Sequence, residues 1–267
     1  MKARIQQRDA ASLAAGYVSS HRRWEISGIV AFAAFALILG YRLATNLAGN
    51  VWMLPLGLLA GYIGADFISG FVHWFCDTWG SVETPIIGKI FIRTFREHHV
   101  DQESITRHDF IETNGDNCLV AAPVLASTLL FEGRPDPIRI FGGAFVLALC
   151  FFVFMTSQIH KWSHMKQPPP FIARLQRWHL ILPRDHHQKH HSAPFDRHYC
   201  ITVGWLNVPL QRIGFFRVME RVITALTGAL PRQDDIGTAA AIAVAEEAGV
   251  LEQPPAELEK PARLIGR

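Results

Sequence analysis

The run IRIFGGAFVLALCFFVFMTSQI at residues 138–159, which passes without a break into HKWSH at 160–164, decides how this chain folds. A bilayer core takes about 20 helical residues, so the run is long enough to cross one. Its single charge, Arg139, stands at the start, and the apolar residues do not alternate with polar ones as they would on a helix half in water. HKWSH then places His160 and His164 one helical turn apart on the same face. A spanning helix that ends in two imidazoles is the pattern to seek in the rest of the chain.

Three further apolar stretches lie at about 26–41, 51–75 and 118–131. The second is long enough to span, the first a little short, and the third shorter still, which suits a tilted or re-entrant arm. The third leads into the last through EGRPDP (132–137), whose prolines and glycine mark a tight turn between two helices. NGDN at 114–117 precedes the third stretch, where Asp116 or Asn117 is expected to cap its helix. The expected fold is all-α: a membrane bundle of about four transmembrane helices, arranged as two hairpins, with a cytoplasmic histidine-rich cap. Residues 1–25 form a polar N-terminal segment, 26–230 the membrane domain and 231–267 a weakly ordered tail rich in Ala, Glu and Pro. The first apolar run follows a basic segment but no clean cleavage site follows it, so it reads as a retained helix.

Hydrophobic residues make up 49% of the chain and charged ones only 18%, which agrees with a bilayer environment. The net charge of +3 is scattered, so no nucleic-acid partner is expected. Lys and Arg crowd the N-terminal segment, the loop 76–117 and everything after Lys161, whereas the opposite side shows only Arg42, Arg134 and Arg139. By the positive-inside rule the first group faces the cytoplasm, in a bacterial inner membrane or the endoplasmic reticulum. Cys76, Cys118, Cys150 and Cys200 lie far apart with no CxxC pair and read as buried small residues. Phe171, Ile172, Leu175, Trp178 and Leu182 recur at helical spacing opposite Arg174, Gln176 and Arg177, as in a helix lying in the membrane interface. No serine-hydrolase, phosphate-loop or dinucleotide glycine motif is present.

Twelve of the thirteen histidines fall between His73 and His198, all at or beyond one end of the apolar stretches. HWFCD (73–77) pairs His73 with Asp77 at helical spacing as HKWSH pairs its two histidines; EHH supplies His98 and His99; and HHQKHH supplies His186, His187, His190 and His191. His108, His179 and His198 stand nearby as ligands, supports or neither. A tetrahedral zinc site uses four positions, so this many imidazoles suit two metals better than one. Imidazole binds iron, copper, nickel and zinc alike, but attack on a lipid carbon–hydrogen bond at a membrane mouth calls for a redox metal and oxygen. Asp66, inside the second stretch and on the face of His73, is either functional or a helix–helix contact. Arg93, Arg96, Arg107 and Arg184 are candidates to hold a lipid phosphate, or simply basic residues that fix orientation.

FVHWFCDTWGSVETPIIGK (71–89), FREHHVDQESITRHDFIETNGDNC (95–118), QIHKWSH (158–164) and WHLILPRDHHQKHHSAPFDRHYCITVGWLN (178–207) closely resemble the plasmanylethanolamine desaturase family, over about residues 50–230. That family makes the vinyl ether bond of plasmalogens and is similar to the plant plastid desaturase that places a trans-3 double bond in phosphatidylglycerol. The resemblance implies an oxygen-dependent oxidoreductase with a di-iron centre. Its motifs fall on His73, Asp77, His98, His99, His160, His164, His186, His187, His190 and His191. It also implies a membrane phospholipid substrate, O2 as co-substrate and electrons from a separate cytochrome b5-like or ferredoxin-like protein, since the chain shows no flavin, haem or iron–sulfur motif. Alternatives within enzymes are an acyl-lipid desaturase acting on phosphatidylglycerol and a lipid hydroxylase. The alternative outside enzymes is a metal-binding transporter or sensor, which calls for histidines spread through the bilayer depth.

Overall fold

The computed structural model describes residues 19–47, 49–80, 84, 85, 87, 88, 92–130, 136–192, 196–229 and 231; the N-terminal residues 1–18 and the tail 232–267 lie outside them. The described residues are helical and contain no strand. The first two helices are α1 (Ser19–Thr45) and α2 (Met53–Thr78), followed by the short α3 (Arg93–Val100). Then come α4 (Phe110–Ser127) and α5 (Pro137–His164). The histidine end carries α6 (Pro170–Arg177), α7 (Arg184–Gln188), α8 (Asn207–Arg212) and α9 (Phe215–Thr227).

Among the described residues three helices, α1, α2 and α5, are long and apolar enough to cross a membrane. At 26 to 28 residues each they are about 39–42 Å long, so they overshoot a hydrocarbon core of about 30 Å. The first stretch, short by its apolar count, is carried to spanning length by polar residues at both ends of α1. The third stretch belongs to α4, which has 18 residues and begins well before the apolar run. Its cap is Asp109, whose carboxylate accepts the Ile111 and Glu112 N–H groups at 2.9 and 3.0 Å. This corrects the expected cap at Asp116 or Asn117. Both lie inside the helix, where Asn117 donates to the Ser157 hydroxyl at 2.9 Å and Asp116 meets His21 at 2.9 Å. The expected turn at 132–137 falls mostly outside the described residues; Asp136 caps α5 by accepting the Arg139 N–H at 2.9 Å.

α2 packs on α5 through small residues four apart. A Cβ on Gly57 would lie 2.5 Å from the Phe141 carbonyl oxygen, and one on Gly61 would strike that of Phe145, so the two backbones nearly touch. α1 packs on α4 and α5 around Phe32, Leu39, Cys118, Leu125 and Cys150. All four cysteines are buried and free. Arg22 pairs with Asp109 at 2.7 Å at one end of this contact, and Arg42 donates to the Thr128 carbonyl at 3.4 Å at the other. The starts of α1 and α4 and the finishes of α2 and α5 therefore share one end, which is the histidine end. Leu37, Leu56, Leu59 and Phe151 face outward as lipid-facing side chains do. On α1 the exposed Trp24 (67%) and Tyr41 (72%) stand about 26 Å apart along the axis, the spacing of two aromatic belts.

At the histidine end α6 stops at Arg177, and its buried side is Ile172 and Gln176. The sequence pattern set Gln176 on the polar face; instead its amide turns inward and donates to the Leu182 carbonyl at 3.1 Å, while Leu182 lies beyond the helix and is fully buried. Phe171 and Trp178 remain exposed. Residues 199–206 run along α2 in irregular backbone. There Asp66 accepts three N–H groups, from Val203 and Gly204 at 2.8 Å and from Leu206 at 3.1 Å, and Ser69 accepts that of Ile201 at 3.1 Å. Asp66 thus joins a helix to an irregular segment rather than a helix to a helix. Asn207 closes the segment on itself, accepting the Cys200 N–H and donating to the Cys200 carbonyl.

Candidate metal centre

Nine of the ten sequence-derived ligands gather in two adjoining groups. The first holds His98, His160, His164, His187 and His191, all buried; the second holds His73, Asp77, His99 and His190. In the first, four Nε2–Nε2 separations close around a common point: His98–His191 at 2.8 Å, His160–His187 at 2.9 Å, His187–His191 at 3.0 Å and His160–His164 at 3.3 Å. In the second, Asp77 Oδ2 lies 3.2 Å from His99 Nε2, 3.3 Å from His73 Nε2 and 3.4 Å from His190 Nε2.

Two of the three adjacent histidine pairs are divided between the groups. His98 serves the first and His99 the second; His191 serves the first and His190 the second. Neighbours on a helix point about 100° apart, so α3 feeds both groups, and the turn after α7 does the same with His190 and His191. α2 gives two donors to the second group and α5 two to the first, each one helical turn apart. The groups are consequently side by side, with the His73 and His160 ring centroids 5.7 Å apart.

The donor set fits metal ions. A cation with metal–nitrogen bonds of about 2.1 Å has neighbouring donors about 3.0 Å apart in an octahedron and about 3.4 Å apart in a tetrahedron, and the observed separations fall at these lengths. His187 Nε2 faces two other Nε2 atoms, and a neutral imidazole has only one N–H, so hydrogen bonds cannot satisfy the ring of nitrogens. The Nδ1 atoms of His98, His187 and His191 are buried without a hydrogen-bond partner among the described residues. Burial, and then the neighbouring imidazoles, hold His98, His187, His190 and His191 far below the usual histidine range. They are neutral at physiological pH, the form that binds metal. His73 Nδ1–H donates to the Tyr199 carbonyl at 3.1 Å and His190 Nδ1–H to that of Arg197 at 3.0 Å, which leaves each Nε2 lone pair facing the second group.

The remaining sequence candidates lie outside both groups. His186 Nε2 sits 3.1 Å from His198 Nδ1 and 3.1 Å from Asn207 Nδ2, on the outer side of the irregular segment. His198 has positive φ, and burial followed by the charge of His186 pushes its pKa down to about 4. His108 Nε2 is 3.7 Å from both Glu97 and Glu112. His179 is exposed, and its carbonyl accepts the Trp205 indole N–H at 2.9 Å. Among the arginines, Arg93 is buried and pairs with Glu97 at 3.0 Å, Arg107 pairs with Asp101 at 2.5 Å, and Arg184 donates to the His164 carbonyl at 2.6 Å. Arg96 lies on α3, with its side chain outside the described set. Sequence reasoning missed the carbonyls of Tyr199 and Arg197, which no residue type announces. It also passed over His21, Glu25 and Asp116, a third cluster whose signal was the helical spacing of His21 and Glu25.

These features define a helical membrane protein with a metal-capable histidine centre, and residues 62–234, which contain both groups, match the lipid desaturase domain. The chain belongs to that family and is an oxidoreductase. It is 50% identical over 257 residues to plasmanylethanolamine desaturase of Myxococcus xanthus, covering 96% of this chain and 91% of the relative. Plasmanylethanolamine desaturase 1 of Mus musculus is 48% identical over 237 residues, 86% of this chain and 88% of its own. A more distant relative, chloroplastic fatty acid desaturase 4-like 2 of Arabidopsis thaliana, is 32% identical over 218 residues, with coverages of 80% and 74%. No solved structure matches. The three apolar helices make this chain, like its family, an integral membrane protein.

Proposed function

We propose that this protein converts the 1-alkyl ether chain of phosphatidylethanolamine into the 1-alkenyl chain of a plasmalogen, using a di-iron centre, O2 and two external electrons. The balance is one alkyl ether, O2, two electrons and two protons in, and one vinyl ether and two waters out. The observation that carries this reading is the pair of adjoining, buried donor groups at one end of the spanning helices. The relatives named for this activity, alike over nearly the whole chain, support the substrate.

His98, His160, His164, His187 and His191 would hold one ion, and His73, Asp77, His99 and His190 the other. Bound iron supplies the oxygen and redox chemistry that abstraction of two unactivated hydrogens requires. The chain's own part is to keep nine donors deprotonated, oriented and shielded from water. The helix overshoot of about 10 Å sets the donors near the headgroup level, where a lipid can present the first carbons of its chain while its head stays in the interface. His186 is assigned to positioning, through Asn207, rather than to a metal. Electrons come from a separate carrier of cytochrome b5-like or ferredoxin-like type, and the histidine end faces the cytoplasm.

The test is the purified enzyme with O2, a reductant and 1-alkyl phosphatidylethanolamine. An acid-labile product two mass units lighter, with iron near two per chain, is the expected result. Untouched ether lipid beside a new double bond in phosphatidylglycerol would favour the acyl-lipid reading, and an oxygen-containing product the hydroxylase. Accessibility of tags at both termini from the cytoplasmic side tests the orientation.

A further inference from the structure

Two stretches of chain beyond α5 reach well below the level of the histidines. α2 begins at Met53, just after the exposed Trp52, which marks the far interface as an aromatic anchor does. About 20 residues of helix cross a core of about 30 Å, so the hydrocarbon ends near Val72. Asp66 and Tyr62 stand 72 − 66 = 6 and 72 − 62 = 10 residues short of that level, about 9 and 15 Å inside. Yet Tyr62 donates to the Leu180 carbonyl and packs on Trp205, with ring centroids 5.5 Å apart, and Asp66 accepts the N–H groups of Val203, Gly204 and Leu206. We propose that residues 178–182 and 203–213 form a wedge submerged in the leaflet on the histidine side, its outer face covered by acyl chains.

Backbone and side chains both suit that medium. Irregular backbone survives at such depth only where its polar groups are satisfied within the protein. Besides the groups held by Tyr62 and Asp66, the His179 carbonyl accepts the Trp205 indole N–H at 2.9 Å and the Leu182 carbonyl accepts the Gln176 amide at 3.1 Å. The Leu182 N–H in turn reaches the Thr202 carbonyl at 3.1 Å. The large apolar side chains exposed on the wedge are Trp178, Leu180, Trp205, Val208 and Ile213. Gathered on one face in water they would form an adhesive patch, whereas against acyl chains they need no cover. Three polar side chains of the wedge are exposed. Gln211 hydrogen-bonds to His198, and His179 lies close enough to His186 for their charges to interact, which sets it on the side of the histidines. Arg212 has a stem long enough to lie along lipid while its guanidinium reaches the headgroups. The wedge thus takes the membrane-interface stretch that begins with α6 to a depth which an amphipathic pattern does not announce, and it stands whichever lipid the enzyme oxidises.

The experiment places the full, iron-loaded chain in phosphatidylcholine vesicles and attaches a fluorescent maleimide to one introduced cysteine at a time; the four native cysteines are buried. Leu180→Cys and Ile213→Cys report on the wedge, Leu59→Cys on a lipid-facing position of α2, and Lys189→Cys on an exposed position at the histidine end. Labels at 180 and 213 should lose emission at least twofold when the vesicle lipid carries bromine on its acyl chains, as the label at 59 does, and little when iodide is added to the water. The label at 189 should show the reverse. If Ile213→Cys does not insert, Val208→Cys takes its place. Quenching by iodide at 180 and 213 equal to that at 189 would put the wedge in water and overturn the proposal. Protection from both quenchers would also overturn it, because the face would then be covered by protein, such as a second copy of the chain.

Discussion

Replacing Asp66 with Ala removes a carboxyl group that accepts three N–H groups of the segment running from Val203 to Leu206. Each buried N–H left without its acceptor costs about 1–3 kcal/mol, so the loss of three is about 3–9 kcal/mol. It falls on the irregular segment and not on the bundle, because the α2–α5 contact lies further along the helices at Gly57 and Gly61. The same segment carries the Tyr199 carbonyl that orients His73, and the adjoining Arg197 carbonyl orients His190. The second donor group should therefore loosen first. Iron affinity is expected to drop ten- to hundredfold, the range for groups that orient ligands. Asp66→Asn keeps the oxygen that serves Val203 and Gly204 but turns an N–H toward that of Leu206, and should lie between the two. The assay is iron per chain against free iron concentration on membrane-inserted protein, with activity alongside. An Asp66→Ala protein that binds two irons at wild-type affinity would refute the reasoning.

His190→Ala should abolish turnover and halve bound iron, whereas His186→Ala should retain both irons and lose only part of the rate; turnover assays with metal analysis separate them. Gly61→Leu forces a side chain into the Phe145 backbone and should destabilise the bundle by about 3 kcal/mol or more, seen as loss of membrane-inserted protein. Gly142→Ala meets no atom of the described residues and should be neutral or stabilising by about 1 kcal/mol, read from thermal unfolding. Removing iron with a chelator should lower the unfolding temperature and ferrous iron should restore it, because the ion binds only the folded donor set.

The two full-length apolar stretches and the helical spacing of His73 with Asp77 and of His160 with His164 were legible, since length and a period near 3.6 act locally. The start of α4 was not. Asn114, Asp116 and Asn117 look like a polar turn but face other helices, so counting apolar residues shortened the helix. HHQKHH sets His186 four residues before His190 and His187 four before His191, the spacing of two pairs on a helix. Only His187 and His191 form one: α7 ends at Gln188, the turn beyond it aims His190 at the second group and His191 at the first, and His186 turns instead to His198 and Asn207. Gln176 shows the same limit: polarity marked it as surface, but the Leu182 carbonyl needed a donor inside.

The division of two adjacent histidine pairs between the two groups also bears on how the chain is made. His73 leaves the ribosome 114 residues ahead of His187, counting from 73 to 187, with Asp77 four residues behind it. At about 5–20 residues per second that interval is roughly 6–23 s. The second group is complete only when residue 190 has emerged and the first only when residue 191 has, and the carbonyls that orient His73 and His190 come later still, at Tyr199 and Arg197. Metal loading is therefore a closing event of synthesis, and α2 spends those seconds in the membrane carrying Asp66, His73 and Asp77 before the segments that receive them exist.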